Sequence, residues 1–437
     1  MTKYLRLVSR YPSAAAGIAI ITTLIVMSVL TIIAIPYSKA IDMWRGGEQW
    51  QDNPINASPA WSNWFRDKKL PRTIKVASNP ADIVETEIGG VRRALVPIEF
   101  EYNYDGFPSE VNLFIKTDSE GPQPFARITW HTPDGREILI GGRALRPNER
   151  ISISQDRGLE RRLGAIPHVA LFKATNSDLA LRGRYRAEVE VLLFDPNATV
   201  TAQLLSYGRV HGIAGTDHRR RDLVIAMLWG TPIALAFGLV AAVGTTITTL
   251  IIAAIGVWFG GRVDATIQRI TEVNMILPLI PILVMVGTLY STSIWLMLTL
   301  VVGLGIFSSG IKQYRAMLLP IRESSYIEAA RAYGAGNRRI IMRYMVPPVL
   351  PVLIPGFVSL IPAYVFLEAS LAVLGLGDPV LPTWGKVMND ALSQGALYHG
   401  YYYWVLGPAL LLMLTGLGFA MLGYTLDRIF NPRLRQI

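Results

Sequence analysis

Residues 223–261 read LVIAMLWGTPIALAFGLVAAVGTTITTLIIAAIGVWFGG, from Leu223 to Gly261 without one charged side chain. A spanning helix needs roughly 20 mostly apolar residues. This run is too long for one simple span, and Pro232 is expected to separate a short interfacial segment from a helix over about Ile233 to Phe259. Similar runs lie on both sides of it. Tyr11 to Ser38 is uncharged, with Lys3, Arg6 and Arg10 before it. It reads as an uncleaved anchor rather than a signal peptide cut at Ser38-Lys39-Ala40, because signal h-regions are only about 7–15 residues long. Val273 to Ile311 predicts two helices around a turn at Ser291-Thr-Ser293. Met345 to Leu374 predicts another despite Pro347, Pro348, Pro351, Pro355 and Pro362. Trp404 to Leu426, behind the aromatic run Tyr401-Tyr-Tyr-Trp404, predicts the last. The total is six transmembrane helices.

The rest of the composition agrees with this. Hydrophobic residues make up 51% and charged residues only 17% of the 437, where soluble domains average about 25% charged. Mean hydropathy is +0.34. A soluble enzyme, a coiled coil and a disordered chain are thereby disfavoured. With 0 cysteines there is no disulfide framework, thiol nucleophile or Cys-ligated zinc. The net charge of +10 could mark a nucleic-acid partner, but the positions of the bases argue otherwise. Lys312, Arg315, Arg322, Arg331, Arg338, Arg339 and Arg343 face only Glu323 and Glu328 in one inter-helix segment. The N-terminus and the tail (Arg428, Arg433, Arg435) are also basic. With six spans these segments fall on one side, the cytoplasm. Arg219-Arg220-Arg221 would lie outside and breaks the pattern.

Of the 32 acidic residues, 24 lie between Asp42 and Asp222. That stretch alternates with period two at Arg72–Ala77, Leu95–Tyr102, Val111–Lys116, Ala126–Trp130 and Arg184–Phe194. Turn signals such as Asp105-Gly106 and Pro133-Asp134-Gly135 lie between the runs. The pattern predicts an antiparallel, sandwich-like all-β domain, placed outside the cell. Gly46-Gly47 and the Trp-, Asn- and Pro-rich stretch from Trp50 to Trp64 read as a linker or a collar. The expected organisation is residues 1–40 for the N-terminus and first helix, 41–220 for the extracytoplasmic β-rich domain, and 221–437 for a five-helix core.

One basic loop, about 312–346, carries a distinctive pattern: YIEAARAYGAGNRRIIMRYMVP from Tyr326 to Pro347. Good helix formers from Glu323 to Tyr333 predict one short helix. Gly334 and Gly336 stop it, and Asn337 can N-cap a second. Ala329 and Ala330 offer a flat face for close approach. An ordinary basic loop is the competing interpretation on this pattern alone.

Here the sequence resembles the permeases of ABC importers. Glu328-Ala329-Ala330, then Gly334, then Pro347 matches the spacing of their EAA loop, with Tyr344 and Val346 at its Ile and Leu positions. Gly215-Thr216-Asp217 with Arg221-Asp222 is similar to the GTDxxGRD element of the dipeptide/oligopeptide/nickel permeases, except that Arg220 stands where that family usually has Gly. Phe259-Gly-Gly-Arg-Val-Asp264 resembles the YFGGWVD loop. Arg269 and Pro278 keep a family spacing, with Glu272 where Asp is common. Glu368-Ala-Ser-Leu371 through Leu374-Gly375-Leu376-Gly377, then Pro382-Thr383-Trp384-Gly385, resembles EASLSFLGLG…PSWG. The chain is identified as a C-type permease subunit of that family. Residues 1–38 match weakly, 211–437 match well, and 41–210 are an unusual insertion.

The resemblance implies a non-catalytic subunit that carries half of a translocation pathway. It would pair with a second permease subunit and two cytoplasmic ATPases, and a binding protein would deliver solute. Glu328, Ala329, Ala330, Arg331, Gly334 and Pro347 would form the ATPase-coupling loop. Gly215, Thr216, Asp217, Glu368, Gly375, Gly377 and Trp384 would lie on the outer side. A membrane-anchored binding or assembly protein is the alternative. No Walker lysine motif, catalytic constellation or metal spacing among His131, His168, His211, His218 and His399 is visible, so no cofactor or metal is expected. Glu368, an acid within a predicted span, reads either as a functional carboxylate or as an anchor for the adjoining loop. Peptides, nickel complexes and oligosaccharides all remain possible solutes.

Overall fold

The computed structural model describes residues 12–88, 91–119, 121–175, 177–195 and 197–430. Lys3, Arg6, Arg10 and Tyr11 at one end, and Arg433 and Arg435 at the other, lie outside the described residues. The chain divides into a helical unit, Met1–Arg45 with Ile225–Ile437, and a β-rich unit, Gly46–Val224.

In the helical unit, four helices among the described residues are long and apolar enough to cross a membrane: Pro12–Ala34, Leu223–Phe259, Leu350–Leu376 and Tyr403–Phe430. Two bent pairs raise the number to six if each pair is one span: Gly261–Ile276 with Leu279–Leu289, bent by 74°, and Ile294–Ile306 with Gly310–Arg322, bent by 44°.

The expected break at Pro232 is not there. Leu223–Phe259 is one helix of 37 residues with Pro232 inside it. Proline removes one backbone donor, and neighbouring groups can re-satisfy the helix. The acceptor that Pro232 leaves without its usual N–H is the Leu228 carbonyl; the carbonyl before it, of Met227, accepts both Thr231 Oγ1 at 3.1 Å and Trp384 Nε1 at 2.9 Å. The expected turn at Ser291–Ser293 separates Leu279–Leu289 from Ile294–Ile306, and each of these is one arm of a bent pair. Pro278 ends the first pair's leading helix, with Leu277 extended at ψ 127, as the residue before a proline prefers. The fifth helix begins later than expected, at Leu350. A wide π-type turn over Ile341–Met345 precedes it, and Pro347 and Pro348 lie in the turn between them.

Small residues set the helix packing. On Pro12–Ala34 the buried positions are Ala14, Gly17, Leu24 and Thr31. A Cβ on Gly17 would stand 2.8 Å from the Gly418 carbonyl, so the backbones cross closely, as small residues permit in lipid. Large apolar side chains such as Ile33, Ile276, Leu289 and Leu406 stay exposed on this unit, which suits lipid or a partner helix.

The β-rich unit is a two-sheet antiparallel sandwich. One sheet orders β1 (Ile74–Ala77), β9 (Thr199–Tyr207), β4 (Glu110–Asp118) and β7 (Asn148–Ser152). The other orders β2 (Val84–Ile88), β3 (Val91–Tyr102), β8 (Gly183–Leu193), β5 (Phe125–His131) and β6 (Glu137–Ala144). Alternation drives it: along β8 every second side chain from Tyr185 to Leu193 is buried. Phe100, Tyr102, Trp130, Phe172 and Tyr185 fill the centre, with Phe172 4.7 Å from Tyr102 and 4.8 Å from Tyr185 between ring centroids. Tyr185 donates its hydroxyl to the Leu181 carbonyl at 2.7 Å, and burial pushes its phenol pKa up. Each such buried ring contributes about 1.5–3 kcal/mol.

The Trp50–Trp64 stretch is no linker. It folds onto the end of the same unit as a foot. Asn56 N–H donates to the Asp217 carbonyl at 3.1 Å, Ser58 N–H to the Arg209 carbonyl at 2.9 Å, and His211 N–H to the Ser58 carbonyl at 2.8 Å.

Candidate functional site

The basic loop folds into Gly310–Arg322, Ser325–Ala332 and Asn337–Ile340. Gly334 has φ +75, a left-handed turn that glycine takes cheaply. The helix Ser325–Ala332 thus ends where the spacing placed its end. Gly336, not Asn337, caps the next helix, because the chain turns at Gly334 and is extended again one residue before Asn337.

Ser325–Ala332 is two-faced. Ile327 and Ala330 are buried, Ile327 in a cluster with Trp258, Tyr314, Leu318, Ile340 and Ile341. Tyr326, Glu328, Ala329, Arg331 and Tyr333 are exposed, Tyr333 almost completely at 91%. Pro347 is exposed as well. The Arg331 guanidinium lies over the Trp258 ring, 4.2 Å from its centroid, a favourable cation–π distance. Below this sits a forked ion pair: Arg315 Nε donates to Asp264 at 2.9 and 3.0 Å, and Nη2 at 2.7 Å. Asp264 is the acid of the Phe259–Asp264 motif, so this motif and the basic loop form one assembly. Trp258 was not singled out in the sequence. The two partners are far apart along the chain, and no local pattern marks the contact.

Elsewhere in the helical unit, Glu368 is 6% exposed and bonded to the Thr383 side chain. Thr383 also caps the helix Trp384–Ser393, accepting from Lys386 N–H. Trp384 is buried against Gly230, whose added Cβ would stand 2.3 Å from the indole Cδ1. A Cβ on Gly385 would stand 2.6 Å from Ala372 Cβ. Glu368 thus ties the fifth helix to the loop at Thr383, and Trp384 packs the end of that loop against the helix Leu223–Phe259. Gly375, at φ +90, ends the fifth helix, and Gly377 is extended.

Gly215, Thr216 and Asp217 lie in the foot of the β-rich unit. Thr216 Oγ1 donates to the Pro54 carbonyl at 2.7 Å and accepts from Ala57 N–H at 2.9 Å. Asp217 accepts Arg219 N–H and Arg221 N–H, both at 2.8 Å, and pairs with the Arg221 guanidinium. Both side chains of that pair are almost fully buried. Arg220 keeps the turn that glycine would favour, at φ +65. Its guanidinium donates to the Asn53 carbonyl at 2.6 Å, pairs with Glu110, and lies 4.3 Å over the Tyr207 ring. Two of the three anomalous arginines are thus used up by the fold. Nearby, burial lowers the His211 pKa and raises that of Asp222.

Within the helical unit a cavity of about 260 Å³ is lined by Thr245, Thr249, Ser308, Ser309, Gln313 and Tyr364, among others. Its polar lining is hydroxyl and amide with no charge. Tyr364 donates to Thr245 at 3.1 Å. Such a surface can hydrogen-bond a neutral polar solute and cannot fix an ion by charge. Among the described residues no cluster of three His, Cys, Asp or Glu could hold a metal.

These helices and their two motif-bearing regions define an integral-membrane transport component. The chain belongs to the family described as "Binding-protein-dependent transport system inner membrane component", the permeases of ABC importers, whose model matches residues 245–436. It is 31% identical over 226 residues to the glutathione transport system permease protein of Pectobacterium atrosepticum, covering 51% of this chain and 73% of that one. Against the oligopeptide transport system permease protein of Bacillus subtilis it is 30% identical over 226 residues, 51% and 72% of the two chains. Against the dipeptide transport system permease protein of the same organism it is 28% identical over 225 residues, 51% and 69%. Permeases of this family are non-catalytic membrane subunits.

Proposed function

We propose that this permease forms half of a peptide import pathway and is coupled to a cytoplasmic ATPase through Ser325–Ala332. The exposed face of that helix carries the proposal. Ile327 and Ala330 fasten it to the unit, while Glu328, Ala329 and Tyr333 stand free on the other side. Small side chains let a partner approach closely, Glu328 offers a charge, and Arg331 is held in place by Trp258. The pathway needs a second permease subunit to close it, two ATPases for power, and a binding protein to deliver solute. The names of the relatives favour peptides, and an uncharged polar cavity suits a peptide backbone. The basic loop and both termini then lie in the cytoplasm. The β-rich unit lies outside, where it can serve as a docking platform for the binding protein or the partner permease.

The test uses Glu328→Ala and Gly334→Val. Valine at φ +75 costs about 1–2 kcal/mol and misdirects the end of the helix. Both variants should insert normally, yet bind the ATPases poorly or leave hydrolysis uncoupled from uptake. Normal solute uptake by both variants would refute the coupling role.

A further inference from the structure

The foot of the β-rich unit carries an exposed patch that its own fold does not use. Ala60–Phe65 is a short 3₁₀ turn. Trp64 is 82% exposed, Phe65 81% and Ile213 76%. Trp61 is 44% exposed, and its indole N–H donates to the Ile213 carbonyl at 2.8 Å. Its ring meets that of Phe65 edge-on at 6.3 Å. The Trp61 ring can therefore leave water without a bare donor, a condition buried indoles usually meet. Directly after the turn come Arg66, Lys68, Lys69 and Arg72, all exposed, against the single acid Asp67.

We propose that this patch rests in the headgroup layer of the bilayer, on whichever side the unit lies, and prefers anionic lipid. Two observations select lipid over a protein partner. The first is composition. Tryptophan and phenylalanine on a short turn, with lysine and arginine beside them, is the residue set that anchors at membrane interfaces, and the bases complement anionic headgroups. The second is position in the chain. Backbone hydrogen bonds tie Ala60 to Gly212, and residue 213 is followed closely by the apolar helix that opens at Leu223. The patch belongs to chain that is about to enter the membrane. The proposal rests on the chain spanning a membrane, not on the coupling role of Ser325–Ala332.

The full-length chain has no native cysteine, so single-cysteine variants can carry a nitroxide label. Trp64→Cys and Phe65→Cys report on the patch. Val84→Cys, at a position 56% exposed on β2, is the control. The labelled proteins are placed in nanodiscs of phosphatidylcholine, with or without phosphatidylglycerol. Collision with oxygen is compared with collision with a water-soluble nickel chelate. The expected result is an oxygen-dominated label at 64 and 65 and a nickel-dominated label at 84. Phosphatidylglycerol should deepen the patch labels, and Lys68→Glu with Lys69→Glu should reverse that deepening. Nickel-dominated labels at 64 and 65 in both lipids would overturn the proposal. So would labels frozen and shielded from both reagents, which would mean a protein covers the patch. Depth indifferent to phosphatidylglycerol would overturn the anionic preference.

Discussion

Arg220→Gly sets two opposed contributions at one residue against each other. Arg220 holds φ +65, which costs a side chain about 1–2 kcal/mol that glycine would recover. Against this, the substitution removes the Glu110 pair, the bond to the Asn53 carbonyl and the stack on Tyr207. The pair is 13% and 15% exposed, so Glu110 would be left poorly solvated. A hydrogen bond to a charged group contributes about 1.5–3 kcal/mol, and a cation–π contact about 0.5–2 kcal/mol. The clamp outweighs the strain, for a net loss of about 1–3 kcal/mol. Hydrogen–deuterium exchange on the full-length protein in detergent reads this directly. Peptides covering 50–58 and 209–222 should exchange faster, by about 5–30-fold for each 1–2 kcal/mol lost. Unchanged or slower exchange in those peptides would mean that Arg220 is merely tolerated, and the clamp would be refuted.

Other outcomes follow from the same geometry. Arg338→Cys should resist a membrane-impermeant maleimide applied outside intact cells while Val84→Cys reacts; external labelling at 338 would reverse the proposed topology. Gly230→Leu should drive a side chain into the Trp384 indole and cost about 1–3 kcal/mol in thermal unfolding, and the cost should shrink when Trp384→Ala is added. The Asp134 carboxyl feels burial, which raises its pKa, but hydrogen bonds from Thr132, Arg136 and Thr175 outweigh this and hold it at about 2, below its ordinary 3.8. A depressed carboxylate pKa stabilises the fold above the unfolded value, and that stability is lost as pH falls through the folded value. Acid unfolding of the β-rich unit should therefore include a limb between about pH 4 and 2 that Asp134→Asn removes; an unchanged limb would assign it to other carboxylates.

The uncharged runs made the long helices legible, because nothing else in a chain tolerates twenty apolar residues in series. Their interruptions were harder to place. Proline was read as a break at 232 and as tolerable at 347 and 348, and both were the wrong way round. A proline-bearing helix is held by packing against elements remote in sequence, as Trp384 packs on Gly230 close to Pro232, and no local pattern records that. Among the strands, β9 escaped notice. Its alternation fails at Leu204–Tyr207, where four successive residues are buried. There the foot covers the second face, and Tyr207 donates to the Gln51 carbonyl at 2.6 Å. The edge strands β2 and β7 are short and charged, which blunts an exposed edge and also hides it from pattern reading. Glu328 to Gly334 was marked by local spacing, whereas Trp258 under Arg331 and Arg315 on Asp264 depend on tertiary proximity that no period records.

The zipped foot has a consequence for how such a chain can be rearranged. Because Asn56 and Ser58 are bonded to residues 209–217, the long excursion between two helices leaves and returns through one narrow neck. Loop-closure entropy rises only slowly with loop length, so the cost of such a graft is set mainly by the neck and hardly by the cargo beyond it. The β-rich unit is in this sense a cassette. Cut above the bridge that pairs Ser58 with Val210, it should be exchangeable for another compact domain with adjacent ends, such as a fluorescent reporter.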